Sequence, residues 1–279
     1  MKNRIGFMQG RLSPLVEGRI QSFPWDNWRQ EFKDSANMGF TLMEWTLDQD
    51  LLTKNPIMTQ LGQQEILSLC KQFNISIPSL TGDCFMQQPF WKETDQKKRD
   101  ELQKDFLSIM YACSKIGIKF IVIPIVDNGR LENKYQEDKL VKFLNYQKNT
   151  LKSFNIKIVF ESDYEPLKLS RFMDRFDPNI FGINYDIGNS ASLGFDPSEE
   201  FLFFGKRIFN VHVKDRELNG STVALGEGNA DFDLVFSLLE DYKYKGNYIL
   251  QTARSPENEH ALVLKKYKKF VEQKLIKWN

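Results

Sequence analysis

The sequence predicts an α/β fold: a single (β/α)8 barrel of the TIM class spanning residues 1–279. Three observations predict it. Short apolar runs alternate with longer amphipathic stretches from end to end, eight times. Several runs, such as IKFIVIPIV and IKIVF, are nearly continuous β-branched and aromatic sequence, as in parallel strands covered on both faces by helices. No early strand leads into the Gly-rich phosphate turn of the common open nucleotide-binding sheets. Eight β-then-α units in series imply right-handed crossovers, and a closed barrel is the economical way to cover such a sheet.

The strands are expected at Ile5–Gln9, Leu42–Trp45, Ile75–Leu80, Phe120–Pro124, Ile156–Glu161, Phe181–Asp186, Ile208–Val213 and Tyr248–Gln251. Helical patterns lie between them at Gln60–Phe73, Asp95–Lys115, Lys139–Phe154, Pro166–Phe172, Pro197–Phe204, Phe232–Tyr242 and Asn258–Leu275. Asp231 is placed to cap the helix that follows it. Gly39, Gly117 and Gly246 each fall between a helix and the next strand, where a left-handed glycine belongs. The charged stretch Lys92–Lys104 reads as a solvated helix face. The aromatic stretch Phe23–Trp28 reads as packing over the barrel mouth, with stacking on a sugar ring as the alternative.

A length of 279 residues suits one such barrel, and 41% hydrophobic residues with 23 Phe suffice for its core. The formal net charge is +1, so no global field selects nucleic acid, a membrane surface or an acidic partner. The three cysteines form no C-x-x-C pair and are odd in number, which excludes a disulfide framework and suits a reducing cytoplasm. No apolar run is long enough to span a bilayer.

In a barrel of this kind, chemistry gathers where strands end. Glu161, Asp186, His212 and Gln251 stand at the ends of strands five to eight. Together they offer oxygen and nitrogen donors suited to one divalent ion of Mn, Mg, Co or Zn. Burying Glu161 beside Asp186 without a cation would be costly. The competing reading is a hydrogen-bonded core histidine and carboxylates that pair or cap locally. Lys214, Asp215, Arg216 and Arg254 follow these strands and are candidates to bind substrate, or simply solvated rim charges. Glu227 is expected to brace its loop. Earlier in the chain, Gln9, Arg11, Glu44 and Asp83 follow or close strands one to three and could contact a sugar.

The series F-E-S, Y-D-I-G-N, V-H-V-K-D and L-G-E-G-N-A-D-F, in that order at these positions, resembles the xylose-isomerase-like superfamily of sugar isomerases and epimerases. The resemblance covers nearly the whole chain. It implies a metal held by a Glu, Asp, His, Glu set, a small carbohydrate substrate chelated through adjacent oxygens, an enediolate, and Glu161 as a proton-transfer residue. Homo-oligomers are common among such barrels. Two positions depart from the pattern. Gln251 stands where a second glutamate would serve as ligand and base, and an amide cannot abstract a proton. Asn189 stands where relatives place a histidine, and is a candidate substrate contact. A dehydratase or lyase on a cyclic polyol, and a degenerate sugar-binding member, are the alternatives. The multi-zinc repair endonucleases of the same fold need more histidines than the two present.

Overall fold

The computed structural model describes residues 4–255, 257 and 259–278. Seven strands succeed one another around a closed parallel barrel: β1 (Ile5–Met8), β2 (Leu42–Thr46), β3 (Ser76–Thr81), β4 (Phe120–Ile125), β5 (Lys157–Ser162), β6 (Phe181–Asp186) and β7 (Ile208–Val213). After β7 the chain makes a small antiparallel hairpin of β8 (Asp215–Arg216) and β9 (Thr222–Val223). The eighth barrel strand, β10 (Tyr248–Leu250), then pairs with both β7 and β1 and closes the ring. The expected fold class and all eight barrel strands are therefore present, with ends that move by one residue at most.

Local chemistry explains most boundaries. Asp231 accepts from the Leu234 N–H at 3.0 Å and starts the helix Phe232–Asp241. Gly39 and Gly117 have φ of 71° and 84°, the left-handed turn out of a helix that glycine makes without a Cβ clash. Gly246 does not follow the expectation. Lys243 takes the left-handed turn instead, and Gly246 is needed because a Cβ there would lie 2.4 Å from the Phe209 carbonyl. The pattern Lys139–Phe154 splits into the helices Lys134–Tyr146 and Lys148–Phe154, a break with neither Gly nor Pro to announce it. Asn258, the expected start of the last helix, lies outside the described residues; the helix is described over His260–Trp278. Phe23–Trp28 is packing. Phe23 and Trp28 are buried against Trp45 with ring centroids 5.4 and 5.8 Å away, and the helix Trp28–Asn37 begins there.

The apolar core lies between the barrel wall and its helices. Phe160, Phe172, Phe176 and Phe181, for example, interlock at centroid distances near 5 Å. The barrel's own interior is different. Hydrogen bonds that span it place Glu44, Thr81, Asn184, Asn210 and His212 on its inner face, among them Asn210 Nδ2 to Glu44 Oε2 at 3.0 Å. A register shift between Ile183 and Asn184 sets Asn184 beside Asn210, and Asp186 beside His212. That shift delivers two ligand candidates to the same height.

Candidate metal centre and active-site cavity

At the C-terminal mouth of the barrel, Glu161, Asp186 and His212 each present one donor atom within 4.8 Å of the others. Glu161 Oε2 lies 3.2 Å from His212 Nδ1, and Asp186 Oδ2 lies 4.0 Å from it. His212 is fully buried, and its Nε2 sits 2.6 Å from Glu44 Oε1. Glu44 is held in turn by Thr81 Oγ1 at 2.5 Å and Asn210 Nδ2. A carboxylate on one ring nitrogen turns the other toward the site, as partners of metal-bound histidines do. Burial alone would lower the His212 pKa, but the charges of Glu44 and Glu161 outweigh it and push it to about 10. Burial would raise Glu44, but His212 holds it below the ordinary carboxylate range.

Above this centre opens a cavity of about 610 Å³. Glu161 faces it from the floor, with Oε1 accepting from Asn189 Nδ2 at 2.7 Å and Oε2 from Asn184 Nδ2 at 3.0 Å. Lys214, Arg216, Asn189 and Gln251 line it as well. Arg216 donates to Asn189 Oδ1 at 3.0 Å. Asp83 also lines it, buried at the start of the short helix Asp83–Gln87 that follows β3, with Oδ2 accepting from Gln21 Nε2 at 2.7 Å. Burial, then the nearby charge of Asp48, pushes its pKa up to about 7.

The fourth expected ligand behaves differently. Gln251 Oε1 accepts from Lys214 Nζ at 3.0 Å, and that ammonium lies 2.9 Å from Asp186 Oδ2. Gln251 Nε2 donates to Gln21 Oε1 at 2.8 Å. Gln251 thus meets the cluster through a lysine.

Three expected substrate contacts are corrected by their placement. Glu44 does not end β2, which runs on to Thr46; it is 0% exposed inside the barrel and orients His212. Asp215 points into its own loop. Its carboxylate collects the N–H groups of Arg216, Gly226, Gly228 and Ala230, so it rather than the exposed Glu227 braces that loop. Arg254 donates to the carbonyls of Ser13 and Ile20 and pins the segment after β1. Arg11 also donates to Ile20, and Gln9 accepts from the Thr46 N–H. Sequence reasoning missed Asn184, Asn210, Thr81 and Gln21. The first two carried a signal: in NYD and NVH an amide stands two residues before a ligand candidate, on the same face of a strand.

A family model described as xylose isomerase-like TIM barrel matches residues 32–269. An inosose dehydratase of Clostridium perfringens is 23% identical over 211 residues, 61% of this chain and 71% of that protein. One from Bacillus cereus is 25% identical over 179 residues, 54% and 59% of the two chains. Among solved structures, the IOLI protein with a zinc atom bound superposes with a TM-score of 0.76 at 15% identity, over 99% of both chains. The D-allulose 3-epimerase of Methylomonas sp. in complex with D-allulose gives 0.75 at 15% identity, over 98% and 97%. At such identities the structural likeness is one of fold.

Proposed function

Because the chain belongs to the xylose isomerase-like TIM barrel family, we propose that it is a sugar isomerase or epimerase in which Glu161 moves a proton on the carbon beside a carbonyl. The observation that carries this is the double position of Glu161, which belongs to the donor triad and also faces the cavity. The donor set fits a divalent ion: two carboxylates and an imidazole nitrogen converge, all buried, and the histidine is oriented from behind. Glu161, Asp186 and His212 would hold the ion, which supplies a Lewis acid for a carbonyl oxygen. Asn184 and Asn189 fix the Glu161 carboxylate by one amide on each oxygen. Glu161 takes the proton, the C–H electron pair becomes the C=C bond of an enediolate as the carbonyl π pair moves onto its oxygen, and the proton, returned to a carbon of that unit, restores a carbonyl. Asn189, Lys214 and Arg216 are placed to donate to substrate hydroxyls, and a small carbohydrate fits the cavity.

A second reading, a dehydratase on a cyclic polyol, has its own support. The curated relatives are inosose dehydratases, and Gln251 leaves the triad without a second base on the opposite side. Elimination needs one base and one acid for the departing hydroxide. Asp83, a carboxyl that holds its proton to about pH 7, faces the same cavity.

One experiment tests both. The protein with Mn²⁺ is incubated in D₂O with ketoses and with an inosose, and products are followed by mass spectrometry. Deuterium gained at carbon with no other change identifies isomerase or epimerase chemistry. Loss of water, with a new ultraviolet absorbance, identifies the dehydratase. In either case Glu161→Gln should lower turnover by about 10²–10⁴-fold. A fully active Glu161→Gln variant would sink the role given to this residue.

A further inference from the structure

We infer that Lys214 is a tethered cation that competes with the divalent ion for this centre, so that the ion settles only when the ammonium leaves Asp186 and Gln251. The inference rests on the reading of Glu161, Asp186 and His212 as a ligand set.

Each oxygen available to an incoming ion beside Glu161 is already engaged by this one group. Asp186 Oδ1 accepts from the Asn189 N–H at 2.9 Å and caps the helix Ile187–Leu193, which leaves Oδ2 to face a cation. Oδ2 is the atom 2.9 Å from Lys214 Nζ. The contact is an ion pair and lacks the alignment of a hydrogen bond, so this buried oxygen is neutralised but not saturated. The Gln251 amide nitrogen is committed to Gln21, and its one oxygen takes a proton from the same Nζ. A divalent ion coordinated by Asp186 Oδ2 would therefore meet an ammonium within contact distance, a like-charge pair that a buried site does not screen.

The lysine is seated. Its side chain is 12% exposed, and its stem fills the space that Gly188 leaves by lacking a Cβ. A Cβ at Gly188 would lie 2.8 Å from Lys214 Cγ and 3.0 Å from its Cβ. Lys214 also lines the cavity, which gives Nζ a second position among substrate oxygens. Ion binding and the release of an amine donor into the cavity are then a single event.

Calorimetric titration of the metal-stripped full chain with MnCl₂ tests this. Lys214→Met keeps an unbranched apolar stem and removes the charge. It should bind Mn²⁺ tighter than the natural protein by about tenfold or more. An unchanged or weakened affinity overturns the inference while leaving the ligand set standing. Absence of binding in both proteins overturns it together with the metal reading of the site. Should Lys214→Met fail to fold by circular dichroism, Lys214→Gln carries the same comparison with a polar, neutral side chain.

Discussion

His212 owes its usefulness to Glu44. An imidazole has two nitrogens, and only the one without a proton can bind a metal. With Nε2 against Glu44 Oε1 at 2.6 Å, one proton is stabilised there, and an ion would take Nδ1, beside Glu161 and Asp186, in place of the second proton that the charges of Glu44 and Glu161 favour. Glu44→Gln keeps an acceptor oxygen for Nε2, whereas Glu44→Leu removes it. The leucine variant should lose about 10–100-fold in Mn²⁺ affinity, and the glutamine variant clearly less. Equal affinities for the natural protein and the leucine variant would show that Glu44 does not orient the ring. This role was hard to read from the sequence for a physical reason. Glutamate inside a strand is unusual unless paired, so M-E-W looked like a strand end, and the partners that make the burial tolerable (His212, Thr81, Asn210) lie on other strands. Asp215 was misread likewise. A K-D-R run looks solvated, and nothing in the run itself reveals that four backbone N–H groups 1 to 15 residues later converge on its carboxylate.

Among elements, the barrel strands were legible because each is buried on both sides and the face it turns to the helices is written in apolar residues, although the inner face carries Glu44, Thr81, Asn184, Asn210 and His212. The helix Trp28–Asn37 was hidden because its cap residue, Asn27, makes no side-chain capping bond and its first turn is aromatic packing. The helix Pro197–Phe204 was legible and carries a feature no pattern discloses. Its Glu200 is 4% exposed and accepts from Tyr185 Oη at 2.7 Å and Ser190 Oγ at 2.5 Å, tying the helix to β6 and the turn after it. Burial pushes Glu200 from 4.5 to about 7, although both hydrogen bonds oppose this. The folded protein therefore holds a proton that the unfolded chain has lost between those two values. The stability this supplies is complete below about pH 4.5 and disappears as pH rises through about 7, at most about 3 kcal/mol. The melting temperature of the natural protein should fall between pH 5 and 8 by a few degrees more than that of Glu200→Gln. Parallel pH profiles for the two proteins would exclude Glu200 as the source.

At the scale of the whole molecule, charge is balanced twice. The chain carries 38 basic and 37 acidic residues. The cavity comes close to that balance, with Arg19, Arg130, Lys214 and Arg216 set against Asp127, Glu161 and Asp163 and the Asp83 carboxyl, which loses its proton only at about pH 7. Several of these charges are already spent on protein partners: Arg130 on Asp163, Arg216 on the Gly220 carbonyl and Asn189, and Lys214 on Asp186. A site for a phosphorylated or carboxylated sugar would gather cations in excess and leave them free to form bidentate contacts. A balanced site with its charges internally paired instead presents donors and acceptors in alternation, which is what the hydroxyls of an uncharged polyol require. The expected substrate is therefore a neutral sugar or cyclitol, a property no strand-end motif could have disclosed because the balance arises from five separate loops and strand ends. Two measurements check it once turnover is observed. The ratio kcat/KM should change less than about twofold between 20 and 300 mM NaCl, since neither the molecule nor its mouth steers a charged ligand. A neutral ketose or inosose should also be turned over more efficiently than its phosphate ester. A steep fall of kcat/KM with salt, or a preference for the ester, would show that the paired cations open to receive an anion and that the balance in this structure is the resting state of a phosphate site.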